Sequence, residues 1–296
     1  MENKQNRRSA IKNMVTGTVA VGAAGMLSSF TSVADEQNTT MALKGNIHHS
    51  VCPWAYKPMT LDELCIEAKK MGITGIDLLG PNDWATVKKH GLDSPMCNGA
   101  EINLTDGFAE PKFHATLQKN YAEMIPKVAA AGYKNLICFS GSRRDMDNET
   151  GWKNCVEGLK PLVALAEKHN VVLVMELLNS KINHKDYFCD RTSWGVELCK
   201  RLGSENFKLL FDIYHIQVDE GDVIHNIKES HQYIAHYHTG GVPGRNEIDE
   251  TQELYYPAIM KAIVATGYKG YVAQEFIPKN PDKMASLRKA IQICDV

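Results

Sequence analysis

The chain has 296 residues, with 44% apolar and 23% charged side chains and a formal net charge of −2. Such a composition supports a sizeable core and excludes a disordered or low-complexity chain. The nearly balanced charge gives no electrostatic ground for nucleic acid or an anionic lipid surface as a partner.

The first 45 residues read as something other than fold. Asn6-Arg-Arg-Ser-Ala-Ile-Lys12 is a twin-arginine pattern, and the Gly- and Ala-rich run after Val15 is moderately apolar up to Phe30. Ser32-Val-Ala34 offers small residues for cleavage before Asp35. Residues 1–34 are therefore predicted to be a cleavable twin-arginine signal that sends the chain to the periplasm. The run is short and weakly apolar for a membrane span, so no stable membrane insertion is expected. Residues 35–45 read as a polar linker. The eight cysteines form no C-x-x-C pair. Most lie in apolar strand-like or helical runs and read as small buried hydrophobes.

From residue 46 the pattern alternates. Residues 46–52 are the first predicted strand. A helix follows over 60–72, with Thr60 as cap, Glu63 completing a capping box and Gly72 closing it. Residues 75–79 are strand two, 84–89 a short helix and 93–98 strand three. A long helix covers 114–131, and strand four covers 135–139. The next helix, 152–169, puts Leu159, Leu162, Val163 and Ala166 on one face. Strand five (171–175) ends at Glu176. A helix over 193–202 leads to strand six, where Leu209, Leu210 and Phe211 run without helical period into Asp212. A helix over 223–230 precedes strand seven (234–237), which ends at His238. A helix over 256–266 precedes strand eight (271–274), which ends at Glu275, and 281–293 is the last helix. Eight strands alternating with eight helices predict a single (β/α)8 TIM barrel over 46–296, with its active site at the strand carboxyl ends. An open doubly wound sheet would carry a Gly-rich phosphate loop after strand one. Val51-Cys-Pro-Trp54 stands there instead.

Four consecutive strands thus end in Glu176, Asp212, His238 and Glu275. A carboxylate at one strand end is commonly a loop cap or ion-pair residue; four such endings in series suggest convergence. Three carboxylates packed together repel one another unless a cation joins them. Three oxygens and one imidazole make a hard donor set for one divalent ion: Mg²⁺, Mn²⁺ or Co²⁺, with the histidine admitting Zn²⁺. His215, three residues past Asp212, either contacts substrate or supports the metal from behind. His236 shares the barrel face of His238 in a regular strand. Arg245 sits in a Gly-rich loop and can take a carboxylate or phosphate bidentately, with Glu247 placed to orient it. Trp54 follows strand one and either walls the pocket or packs in the core.

The set Glu176, Asp212-x-x-His215, His238 and Glu275 resembles the xylose-isomerase-like barrel superfamily of sugar isomerases and epimerases. Val242-Pro-Gly-Arg-Asn-Glu-Ile-Asp249, Glu253-Leu-Tyr-Tyr256 and Ser50-Val-Cys-Pro-Trp54 are similar to its hydroxypyruvate isomerase branch. Leu177 and Thr239 depart from that branch, which carries Pro after the strand-five Glu and Ile beside the strand-seven ligand. The resemblance implies metal-dependent isomerisation of a small hydroxy-carbonyl compound through an enediolate, for instance hydroxypyruvate to tartronate semialdehyde. It implies Glu176 and Glu275 as both ligands and acid–base pair, and Arg245 on a substrate carboxylate. A ketose 3-epimerase and a keto-sugar or inosose dehydratase use the same site and stay open. A metal-dependent phosphodiesterase would need more metal ligands and a basic surface, and a non-catalytic sugar-binding protein would bind without turnover. The expected partner is a carbohydrate or hydroxy acid, not nucleic acid, and a homo-oligomer is compatible with these readings.

Overall fold

The computed structural model describes residues 41–296. The predicted signal, residues 1–34, and the start of the linker lie outside the described residues. The core is one parallel sheet of seven strands: β1 (His48–Val51), β2 (Gly75–Ile76), β3 (Asn135–Cys138), β4 (Val172–Glu176), β5 (Phe207–Asp212), β6 (Ile234–Thr239) and β7 (Tyr271–Gln274). They are ordered β2-β1-β7-β6-β5-β4-β3, and every neighbouring pair is parallel. Leu209, Leu210 and Phe211 are fully buried, as are Leu173, Val174 and Met175. This is the continuous apolar lining of strands covered on both faces.

Residues 93–98, expected as a regular strand, form a bridged extended segment. Single parallel bridges join Gly75 to Asp93, Leu79 to Cys97 and Cys97 to Leu136. Leu78 N–H donates to the Met96 carbonyl at 2.8 Å, and Cys97 N–H to the Asn135 carbonyl at 2.9 Å. The segment therefore touches both β2 and β3, the two ends of the sheet. Pro95 in its middle has no N–H to give, which keeps it from building a full ladder.

The helices cover the outside: α1 (Leu61–Lys70), α2 (Trp84–Lys89), α3 (Pro111–Ala130), α4 (Asn148–His169), α5 (Thr192–Leu202), α6 (Ile213–Asp219), α7 (Val223–Ser230), α8 (Tyr256–Ala265) and α9 (Lys283–Cys294). Thr60 and Glu63 form the expected capping box on α1. Helix α3 starts earlier than its apolar period suggests because Pro111 occupies the first turn, where a missing N–H costs nothing. Helix α4 likewise begins early, where the Asp147 carboxylate accepts from Thr150 N–H. Helix α6 has no counterpart among the predicted helices; it begins directly after Asp212, at the end of β5.

Residues 41–45, assigned by composition to the linker, lie against the barrel. Met41 N–H donates to the Lys70 carbonyl at 2.9 Å, and Lys44 N–H to the Asp295 carboxylate at 3.0 Å. All eight cysteines are buried free thiols. Among the described residues, no helix is long and apolar enough to cross a membrane.

Candidate active site

The strand carboxyl ends bring Glu176, Asp212, His238 and Glu275 together. One ligand atom from each lies within 4.8 Å of all the others, and all four residues are buried. Asp212 closes β5 and caps α6 at once. Its Oδ1 accepts from Tyr214 N–H at 2.8 Å, leaving Oδ2 for the cluster. An aspartate that begins a helix is held in one rotamer, so the turn into α6 aims this carboxylate. His238 is the register partner of Asp212 across the β5–β6 ladder. Glu275 follows β7 and is tied to β6 by its N–H to the Thr239 carbonyl at 3.2 Å.

Arg245 enters this cluster. Its Nη2 donates to Asp212 Oδ2 at 2.8 Å and also to the Glu275 carboxylate. Its Nε donates to the Glu275 main-chain carbonyl at 3.2 Å. The guanidinium lies between the rings of Trp54 and Tyr214, 5.6 and 5.5 Å from their centroids. Trp54 donates its indole N–H to Glu275 Oε1 at 2.9 Å. His215 packs beneath: its Nε2 is 3.1 Å from Arg245 Nη1, and its Nδ1 accepts the Asn179 N–H at 3.1 Å. Burial and then Arg245 hold His215 well below the usual imidazole range, so the ring is neutral. Glu247 is not brought to Arg245. Its carboxylate accepts the Lys279 and Asn280 amides at 2.7 and 3.0 Å. It anchors the loop after β7 instead.

The two glutamates have opposite proton preferences. Burial pushes Glu176 up to about 8, and repulsion by Glu275 adds to it. Its nearest cationic group, His238 Nδ1, is 3.8 Å away, too far for a hydrogen bond. Burial also disfavours the Glu275 anion, but Arg245 and His238 outweigh it and hold Glu275 well below the usual carboxylate range. Burial raises Asp212 despite Arg245. His238 is raised because Glu275 and Asp77 outweigh its burial.

A cavity of about 470 Å³ opens onto Glu176, Glu275 and Arg245. Trp54, Asn98, Glu101, Leu104, Phe139 and His184 line it as well. A larger hollow of about 590 Å³ lies at the strand amino ends, around Asn135, Val172 and Tyr271. No carboxylate–imidazole set converges there, so the smaller cavity is the one with chemistry. Sequence reasoning missed His184, whose ring centroid is 5.3 Å from that of His215. It also missed Asp77, buried beneath His238. A lone acid in the apolar run Gly75-Ile-Asp-Leu-Leu79 was the only available signal for Asp77.

Three oxygens and one imidazole nitrogen, crowded enough to drive Glu176 toward its protonated form, fit a divalent cation. The four residues would hold it without rearranging the strands that carry them.

A parallel α/β barrel with such a donor cluster at its strand carboxyl ends defines a class of protein, and the comparisons agree. The family described as xylose isomerase-like TIM barrel matches residues 66–294, and the chain belongs to it. The 2-oxo-tetronate isomerase of Cupriavidus necator is 34% identical over 124 residues, 42% of this chain and 47% of that protein. The hydroxypyruvate isomerase of Escherichia coli is 27% identical over 227 residues, 72% of this chain and 86% of that protein. The chain spans about half the length of the first curated relatives it matches, and 86% of the E. coli protein. Among solved structures, an AP endonuclease, family 2, from Brucella melitensis superposes with a TM-score of 0.73 at 22% identity, covering 81% of this chain and 96% of that one. At that identity the likeness concerns the fold alone.

Proposed function

We propose that this chain is a metal-dependent isomerase that moves a proton between adjacent carbons of a small hydroxy-carbonyl compound. The observation that carries the reading is the pairing of Glu176 and Glu275, neighbours in one cluster with opposite proton preferences. Environments that push two carboxyls apart assign an acid and a base. Glu275, kept ionised, takes the proton from the carbon that bears the hydroxyl. Glu176, which loses its own proton when the cation binds, takes one from solvent and gives it to the former carbonyl carbon; a hydroxyl proton passes between the two oxygens, and the enediolate closes to the new carbonyl.

Trp54 and Arg245 orient Glu275, each by hydrogen bonds to it. The cation, bound by Glu176, Asp212, His238 and Glu275, supplies polarisation of the carbonyl and its neighbouring hydroxyl. Mg²⁺ or Mn²⁺ suits the oxygen-rich set, and Co²⁺ or Zn²⁺ is compatible with the imidazole. The relatives' names favour hydroxypyruvate or a related keto acid as substrate, converted to the aldehyde isomer.

A second reading is 3-epimerisation of a ketose. The cavity of about 470 Å³, lined by Asn98 and Glu101 as well as by the two glutamates, favours it by giving a longer carbon chain room. The twin-arginine motif supports export to the periplasm. Purification with metal analysis, followed by solvent-deuterium exchange into hydroxypyruvate, pentoses, hexoses and keto sugars, tests both readings. We expect one divalent ion per chain and deuterium at one carbon. Exchange that persists after chelation would refute the metal-dependent reading, and no exchange in any compound would refute the isomerase.

A further inference from the structure

His238 is held from both sides. Its Nδ1 faces Glu275 Oε2 at 2.6 Å, in the cluster. Its Nε2 faces Asp77 Oδ2 at 3.2 Å, away from the cluster. Asp77 follows β2, where its N–H is bound to the Val51 carbonyl at 2.9 Å. Its carboxylate reaches across the barrel interior to β6. The same Oδ2 meets His236 Nε2 at 2.5 Å. All three residues have no solvent exposure, and Asp77 Oδ1 and His236 Nδ1 have no partner.

A buried carboxylate with one oxygen unpartnered is a poor device for stability alone. A pair between Asp77 and His236 would also have no use for the contact to His238. An imidazole that donates one N–H to a carboxylate has its tautomer and ring angle set, and its other nitrogen is left bare. The two His rings lie 5.0 Å apart and nearly perpendicular, at 84°, so His236 occupies the other side of the Asp77 oxygen.

We propose that Asp77 is the positioning residue of the cation site: it fixes the His238 ring through Nε2, so that when a cation replaces the proton Nδ1 shares with Glu275, that nitrogen is already aimed at Glu176, Asp212 and Glu275. The inference rests on the cation-site reading above. His236 completes the arrangement by bracing the Asp77 carboxylate from β6.

The test uses the full chain loaded with Zn²⁺ and ¹⁵N-labelled at histidine. We expect His238 to show a slowly exchanging proton on Nε2 and none on Nδ1. A proton on Nδ1 with a bare Nε2 overturns the proposal. Binding of Mn²⁺ to Asp77→Asn is then measured by calorimetry. Loss of a supporting carboxylate of this kind weakens metal binding about 10- to 100-fold. Unchanged affinity in a folded Asp77→Asn overturns the proposal. Should Asp77→Asn fail to fold, the wild-type nitrogen signature still decides. Wild type that binds neither Zn²⁺ nor Mn²⁺ overturns the cation-site reading itself; wild type that binds one ion while Asp77→Asn matches it overturns only the role of Asp77.

Discussion

Arg245 grips Glu275 at both ends, its Nη2 on the carboxylate and its Nε on the main-chain carbonyl at 3.2 Å. The same Nη2 reaches Asp212 Oδ2 at 2.8 Å. These contacts are all to protein groups, whereas the resemblance implies a substrate carboxylate for Arg245, and the two roles predict different losses. Breaking a buried ion pair by removing one partner costs about 3–5 kcal/mol. We expect Arg245→Ala to lose stability of that order in the chain stripped of divalent ions by chelation, measured by denaturant unfolding. Turnover should fall for neutral and acidic substrates alike, since the loss acts through Glu275. A loss confined to acidic substrates would return Arg245 to the role of a substrate clamp.

Glu176→Gln and Glu275→Gln should each cut deuterium exchange into substrate by about 100- to 10,000-fold, the usual contribution of a positioned acid or base. Their stabilities should differ. Glu275 meets Arg245, His238 and Trp54, while Glu176 has only the 3.8 Å approach of His238. Glu275→Gln should therefore melt lower than wild type in the absence of added metal, and Glu176→Gln should not. Retained exchange in either variant would end the two-glutamate mechanism.

Much of this was legible in the sequence, and the reason is physical. Strands buried on both faces read as unbroken apolar runs, so an acid or imidazole at the end of Leu209-Leu210-Phe211 or Val172-Leu173-Val174 stands out. Glu176, Asp212, His238 and Glu275 were found that way. What was not legible depended on distances across the barrel. Asp77 and His238 are far apart in the chain, and no local period links them. Segment 93–98 was read as an ordinary strand because its pairing on both sides is a tertiary matter, while Pro95 was the warning that the ladder would be broken. Helix α6 was missed because it is short and begins directly at a strand end, with Asp212 serving as both ligand candidate and cap. Glu247 was paired with Arg245 on proximity in sequence, yet the loop turns between them, with Arg245 at a left-handed φ of 59°. Adjacent side chains across such a turn face different ways.

Trp54 offers a test of base orientation that leaves charge untouched. It is 39% exposed, and its indole N–H is bound to Glu275 Oε1 at 2.9 Å. Trp54→Phe keeps an aromatic wall on the cavity and removes only that donor. A hydrogen bond to a charged group contributes about 1.5–3 kcal/mol, or roughly 10- to 100-fold. We expect kcat to fall within that range while KM changes little. A rise in KM at constant kcat would make Trp54 a substrate-stacking residue and not a support for Glu275.

The proton held by Glu176 predicts how stability depends on pH. Its ordinary value is 4.5, and in the folded chain burial and Glu275 raise it to about 8. Between those values the folded chain binds more protons than the unfolded one, so stability falls as pH rises. The contribution of Glu176 is complete below its ordinary value and is lost as pH passes its folded value. His238, also raised, works in the same direction; Glu275, lowered, works in the opposite one and matters only in acid. Wild type and Glu176→Gln, both stripped of divalent ions, should therefore melt alike near about pH 5 and diverge toward about pH 9, with the glutamine variant the more stable. A divalent ion must displace the Glu176 proton, so its affinity should rise across the same interval and its binding should release protons, measurable by calorimetry in buffers of different ionisation enthalpy. Parallel melting curves with no proton release would mean that Glu176 is ionised in the folded chain and that the acid–base assignment above is reversed or absent.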